Sequence, residues 1–184
     1  MRKVTTKFEP IGGKASRGQI LQQLIQQHNY RKVVEVGTYA GATAGHLLQH
    51  CPEITLWCVD PYVAYTAYDA DRMAKVYAQA QATVFLKYAN VIHIKADSAI
   101  AVHQFKPGDV DIVFIDGNHE YDAVKSDLAH WYPLVASGGI LCGHDYSSTN
   151  RVPIGVIPAV DEFCAEHAID VLELSTDRVW IIRK

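Results

Sequence analysis

Two short segments hold the densest chemistry in this chain. In Phe114-Ile115-Asp116-Gly117-Asn118-His119-Glu120-Tyr121-Asp122 an acid directly follows an apolar run, and a histidine and two more acids follow it closely. The second segment is His144-Asp145-Tyr146, after Gly138-Gly139-Ile140-Leu141-Cys142-Gly143. An imidazole with an ordinary pKa near about 6.5 can take a proton at neutral pH, so His119 and His144 are candidate general bases. If the strands before Asp116 and Asp145 are neighbours, their tips lie about 4.8 Å apart. Two carboxylates that close need a cation or a proton between them. A hard divalent ion, Mg²⁺ before Ca²⁺ or Mn²⁺, suits their oxygens, and a histidine ligand shifts the preference toward a transition metal. The other reading has one acid on an organic ligand and no metal. Glu120 and Asp122 read as first-turn charges facing a helix dipole.

A second pair of signals points to a nucleoside. Glu35-Val36-Gly37-Thr38-Tyr39-Ala40-Gly41 is a glycine loop after an apolar run. A dinucleotide fingerprint has its second glycine where Tyr39 stands, and that glycine makes room for a pyrophosphate. The loop therefore suits a nucleoside without a pyrophosphate. Asp60, in Val59-Asp60-Pro61-Tyr62, follows Gly41 at the spacing of an acid that accepts both ribose hydroxyl protons. Its alternative is to open the Pro61 turn. Asp97 and Ser98, after the next apolar run, can cap a helix and can also meet an adenine.

These residues need a frame that brings them to one edge. Runs apolar on both faces occur at Lys32–Val36, Ile54–Val59, Val91–Ile94, Asp111–Ile115 and Ile140–Cys142, a pattern for a buried parallel sheet. Helical spacing marks Ile20 to His28, and predicts helices over about 69–89, about 121–136 and about 155–167. Val171–Leu174, Ser175-Thr176-Asp177 and Arg178–Arg183 read as a terminal hairpin. The whole is a doubly wound α/β sheet, in which ligands bind at the carboxyl ends of the strands.

Composition narrows the classes. The 184 residues form one domain over 1–184, with 1–16 as an N-terminal extension. A net charge of −3 argues against a nucleic-acid partner. No apolar run approaches the roughly 20 residues of a membrane span, and no signal peptide is visible. The four cysteines form no Cys-x-x-Cys pair, so neither a disulfide framework nor a zinc site is expected, and a cytoplasmic setting fits.

From about Gly18 to Trp180 the chain resembles class I S-adenosylmethionine-dependent methyltransferases. Within them it is most similar to small O-methyltransferase-like domains of the methyltransferase-24 type. Val34–Gly41 carries the cofactor-loop match, Asp60 the ribose acid, and Val113–Tyr121 with His144-Asp145-Tyr146 the more specific matches. The resemblance implies a Rossmann-like seven-stranded sheet of order 3-2-1-4-5-7-6 with strand 7 antiparallel. It implies cofactor contacts from Glu35, Gly37, Thr38, Tyr39, Gly41, Asp60, Pro61, Asp97, Ser98 and Asp116. Glu35 and Gly37 would hold the methionine part, and Asp97 and Ser98 would flank the adenine. Metal-dependent relatives imply a Mg²⁺ site at Asp116, His144 and Asp145, although those relatives more often have a carboxylate or amide where His144 stands.

The expected reaction is methyl transfer from S-adenosylmethionine to a small hydroxylated acceptor. The base would be His119 or His144, with a divalent metal on Asp116 and Asp145 orienting the acceptor. Loops 61–70 and 146–155 would shape the acceptor pocket. Tyr62, Tyr65 and Tyr68 would stack on an aromatic acceptor or wall the cofactor pocket. N-methylation stays open, and an uncapped pocket suggests a homodimer. The rival readings are a nucleotide-dependent oxidoreductase, a non-catalytic cofactor-binding domain, and a metal-dependent hydrolase built on the same acids and histidines.

Overall fold

The computed structural model describes residues 5–8, 15–65, 68–147, 155–175 and 177–184. The chain opens with β1 (Thr5–Phe8), α1 (Arg17–His28), β2 (Lys32–Val36), α2 (Ala42–His50) and β3 (Thr55–Val59). It continues through α3 (Ala70–Ala80), β4 (Val91–Ile94), α4 (Ser98–Ala101), β5 (Val110–Ile115) and α5 (Tyr121–Trp131). It closes with β6 (Val135–Gly143), α6 (Val156–Glu166), β7 (Val171–Leu174) and β8 (Trp180–Arg183). No helix among the described residues is long and apolar enough to cross a membrane.

Strand alternation feeds two cores, one on each face of a single sheet. On β5, Ile112 and Phe114 enter the core under α1 and α2, while Val113 and Ile115 enter the core under α5 and α6. The first core is filled by Ile20, Leu21, Leu24 and Ile25 of α1, with Leu47 and Leu48 of α2. The second takes Val124, Leu128 and Trp131 of α5, with Val160 and Phe163 of α6. Both faces are thus dry, as the two-sided apolar runs require.

The sheet order is β1-β7-β8-β6-β5-β2-β3-β4, with β8 antiparallel to β6 and β7 and the remaining pairs parallel. Without β1 this is the expected order 3-2-1-4-5-7-6. The addition is β1, which lies parallel to β7 along an edge. It comes from the stretch read as an extension. The four cysteines are buried and free.

Of the boundaries that differ from expectation, three have a clear local reason. The long helix over 69–89 ends as α3, and Gln81–Phe85 continues as a π-helical turn. That turn sets Val84 under the glycine loop, where a Cβ on Gly41 would come 2.5 Å from Val84 Cγ2. The helix over 121–136 stops at Trp131, because Pro133 sits in a following 3₁₀ turn. β6 starts at Val135, before the expected Ile140, and bulges between its pairings to Val110 and Ile112, with Gly138 at φ +80°. A further helix, α2, follows the glycine loop. Its small residues Ala42, Thr43, Ala44 and Gly45 mask its periodicity.

Candidate active site

Sheet register assembles the site. Val36 pairs with Val59 and with Ile115, and Ile115 pairs with Gly143. The residues that follow, Gly37, Asp60, Asp116 and His144, therefore stand side by side at the carboxyl edge. Here the strand order reverses around β2, which is where open α/β sheets form their crevice. A cavity of about 540 Å³ lies there.

The glycine loop forms the cavity floor. Gly37 has φ +89°, and a Cβ there would come 2.3 Å from the Asp116 carbonyl oxygen, so the β2 and β5 loops meet backbone to backbone. Asp60 is buried, and both its oxygens are fixed: the Tyr39 amide donates to Oδ2 and the Tyr62 amide to Oδ1, each at 2.8 Å. Burial raises its pKa and the two amides pull it back. Each oxygen keeps a second lone pair for a ligand. Asp60 thus serves the turn and the cavity at once. Tyr39 and Tyr62 hold left-handed φ values of +50° and +52° to aim these amides.

Glu35 sits on β2 with 2 % exposure, its Oε2 4.0 Å from the buried Cys58 thiol. Burial, then the nearby Asp116 charge, pushes its pKa up to about 8. Such a carboxyl favours a cationic partner. At the next corner, Asp97 caps α4 by accepting the Ala99 amide at 2.9 Å. The Ser98 hydroxyl donates to Asp127 at 2.5 Å.

The reactive end is a network of acids, imidazoles and guanidinium groups. His119 Nε2 lies 3.2 Å from Asp145 Oδ2 and 3.6 Å from Asp116 Oδ1. Burial pulls its pKa down, but the two carboxylates outweigh burial and lift it to about 9. Burial likewise opposes the charge on Asp145, and His119 and His144 override it to hold the carboxyl far below the usual range. Asp145 has φ +58°, so its aim at the imidazoles is bought with backbone strain. His144 is 4 % exposed, with Nδ1 3.3 Å from Asp145 Oδ1 and 3.7 Å from Asp116 Oδ1.

Sequence reasoning missed the cations here. Arg17, at the start of α1, places Nε 3.3 Å from Asp116 Oδ2 and donates to Thr43 Oγ1 at 3.0 Å. Arg178 places Nη1 2.9 Å from Asp145 Oδ1. Asp177 accepts the Arg17 amide at 2.6 Å and lies 3.9 Å from His144 Nε2. No local pattern foretells contacts across some 160 residues. Asp127 did leave a signal: it is a lone acid within the apolar stripe Val124, Leu128, Trp131.

Of the residues expected at the site, Glu35, Gly37, Thr38, Tyr39, Asp60, Pro61, Asp97, Ser98, Asp116, His119 and Asp145 line the cavity. Gly41 stands outside it as the N-cap of α2. His144 lies beneath it, against a small void shared with Trp180 and Val156. Tyr65 and Tyr68 form an aromatic rim with Arg72 stacked 4.0 Å over the Tyr68 ring, while Tyr62 is buried and donates its hydroxyl to Tyr39 O at 2.9 Å. Residues 66–67, 148–154 and 176, within the loops and turn read from the sequence, lie outside the described residues.

The expected metal can be tested against this geometry. Asp116, His144 and Asp145 each offer one donor atom, all within 4.8 Å of one another, and His144 Nδ1 and Asp145 Oδ1 are buried without an aligned hydrogen bond. By spacing the trio fits a divalent ion. By charge it is already served, since Arg17 and Arg178 neutralise the two carboxylates.

Comparison with known proteins agrees with the fold. A Staphylococcus aureus protein provisionally described as a caffeoyl-CoA O-methyltransferase superposes with a TM-score of 0.64 at 16 % identity, covering 91 % of this chain and 82 % of that one. The O-methyltransferase NovP gives 0.64 at 20 % identity, covering 91 % and 79 %. The uncharacterized protein R132 of Acanthamoeba polyphaga mimivirus is 31 % identical over 137 residues, 72 % of this chain. The chain spans 59 % of R132's length. Residues 34–146, from β2 to just past β6, match the model of a methyltransferase domain, Methyltransf_24. With more than half its length matched, and with the sheet order and strand-tip cavity described above, the chain belongs to the Methyltransf_24 family of methyltransferase domains.

Proposed function

We propose that this protein transfers the methyl group of S-adenosylmethionine to a hydroxyl of a small molecule, with His119 as the base. The observation that carries the reading is Asp60, a buried carboxylate clamped by two amides at the tip of β3, in a cavity that His119 also lines. Asp60 would accept the ribose hydroxyls, and Glu35 would accept the ammonium of the methionine part. When bound, the sulfonium supplies an electrophilic methyl carbon and leaves as a neutral thioether. His119, neutral, takes the hydroxyl proton as the new C–O bond forms. Asp145 orients the imidazole and balances the imidazolium that results. His144 sits under Asp145 and acts on its position.

Calorimetry with S-adenosylhomocysteine tests the cofactor part. Wild-type protein should bind it, and Asp60→Ala should weaken binding by about 10- to 150-fold for each charged hydrogen bond lost. No binding at millimolar ligand would overturn the reading. Transfer of isotopically labelled methyl to a hydroxylated acceptor, lost in His119→Ala, tests the chemistry.

A second reading adds a divalent ion on Asp116, His144 and Asp145, favoured by their spacing. When bound, such an ion would lower the acceptor hydroxyl's pKa. Titration with Mg²⁺ and Mn²⁺ decides: this reading expects binding heat that Asp145→Asn abolishes, and no heat leaves the arginines as the charge balance.

A further inference from the structure

A pair of imidazoles on α2 has no part in the proposed chemistry. In His46-Leu47-Leu48-Gln49-His50 the two histidines stand four residues apart, the spacing that puts side chains on one helix face. Leu47 and Leu48 enter the core under α1, while His46 is half-buried and His50 exposed. The two rings are stacked, with centroids 4.3 Å apart and planes 24° from parallel. Neither histidine lines the strand-tip cavity. The His46 ring lies against α1 where Gly18 leaves room for it, since a Cβ there would come 3.0 Å from His46 Cδ2.

Each ring has one nitrogen tied to a protein oxygen. A backbone carbonyl can only accept, so His50 Nδ1 donates to the His46 carbonyl at 2.9 Å, and a neutral His50 keeps its lone pair on Nε2. His46 Nε2 donates to Gln22 Oε1 on α1 at 2.9 Å, which leaves the His46 lone pair on Nδ1. Among the described residues, neither of these free nitrogens has a hydrogen-bond partner. Ligating imidazoles have this arrangement: the second N–H is held by an oxygen that fixes the tautomer and aims the ring. His130 and His167 make the same bond to the carbonyl four residues back. Among the described residues, however, only His46 and His50 stack imidazole on imidazole. Two zinc–nitrogen bonds of about 2.0–2.1 Å at a tetrahedral angle set the nitrogens about 3.4 Å apart. Rotation about χ2, a soft torsion in histidine, brings rings stacked at 4.3 Å to that separation.

We propose that His46 Nδ1 and His50 Nε2 chelate a late first-row divalent ion, Zn²⁺, Ni²⁺ or Cu²⁺, on the surface of the α1–α2 pair, with Gln22 positioning the His46 ring. Imidazole nitrogens select these ions over Mg²⁺ and Ca²⁺, and water completes the coordination. The site stands apart from the methyl-transfer reading, because it uses no residue of the strand-tip cavity and no cysteine. Both ligands belong to α2 and their positioning partner to α1, so a bound ion ties together the two helices that cover one face of the sheet.

Calorimetric titration of the full chain with Zn²⁺ or Ni²⁺ alone, at mildly alkaline pH, tests the site. Wild-type protein should bind either ion. Gln22→Leu keeps both ligands and should weaken binding by about 10- to 100-fold, the cost of losing a ligand's supporting partner. His50→Ala removes a ligand and should weaken binding by more than that. Asp145→Asn, which disables the trio at the strand tips, should leave this binding event in place. Ni²⁺ should also raise the melting temperature of Asp145→Asn, and adding His50→Ala should abolish the rise. His50 is exposed, so without metal His50→Ala should melt as the wild type does. No binding of either ion by wild-type protein at millimolar concentration overturns the proposal. Binding that both His46→Ala and His50→Ala leave intact marks an adventitious ion only and overturns it too, as does binding that Asp145→Asn alone removes.

Discussion

At neutral pH His119 carries a proton, because Asp116 and Asp145 lift its pKa to about 9 against the pull of burial. A base must first be empty. The proposed role therefore predicts that kcat/KM climbs tenfold per pH unit and levels off near about 9. Asp145→Asn removes one carboxylate, so the plateau should be reached at lower pH and with a lower rate. A profile flat across neutral and mildly alkaline pH would exclude His119 as the base. Glu35 makes the opposite kind of statement. Its carboxyl keeps a proton up to about 8 in the folded chain, whereas the unfolded chain releases it near 4.5. Between those values the unfolded state binds fewer protons, so the unliganded protein loses stability as pH rises. Glu35→Gln should raise the melting temperature of the unliganded protein at mildly alkaline pH while weakening S-adenosylhomocysteine binding. If the ammonium settles on Glu35, binding at pH 7 should release close to one proton. Binding heats that do not vary with the ionisation enthalpy of the buffer would refute that contact.

Two turns carry the element-scale geometry, and they were unequally legible. The Gly37 turn was readable, since a glycine directly after a run apolar on both faces marks a tight turn at a strand's carboxyl end. In the fold it permits both a positive φ and the contact with the β5 loop. Gly37→Ala should cost more than about 1 kcal/mol, from the left-handed backbone alone, and more again from the clash with Asp116 O. A thermal melt measures it, and an unchanged melting temperature would contradict this backbone account. The turn between β7 and β8 was read only as a hairpin. Nothing local announces that Arg178 reaches Asp145 or that Asp177 ties the start of α1 to it. Those partners are distant in the chain, and exposed charges in a turn look alike until the sheet sets their neighbours. Asp127 lies between the two cases: the break it makes in the α5 stripe was visible, but its partners Ser98 and Trp131 required the packed fold.

For the whole molecule, hydrophobic patterning carried most of the architecture. Strands buried on both faces leave few ways to arrange five apolar runs and a hairpin, and the reversal of order around β2 then fixes where a ligand sits. β1 escaped because Thr5-Thr6-Lys7-Phe8 has no apolar run, and its pairing with β7 exists only once that edge has formed. The placement of β8 bears on synthesis. It lies between β6 and β7, both of which precede it in the chain, and its Trp180, Ile181 and Ile182 are wholly enclosed. Until β8 pairs, its two flanking strands have backbone groups waiting for a partner. Such open edges are where nascent sheets meet one another wrongly. Arg178, just ahead of β8, reaches Asp145 beside the gap that β8 fills, so the strand that completes the sheet also carries a counter-charge to the strand-tip acids.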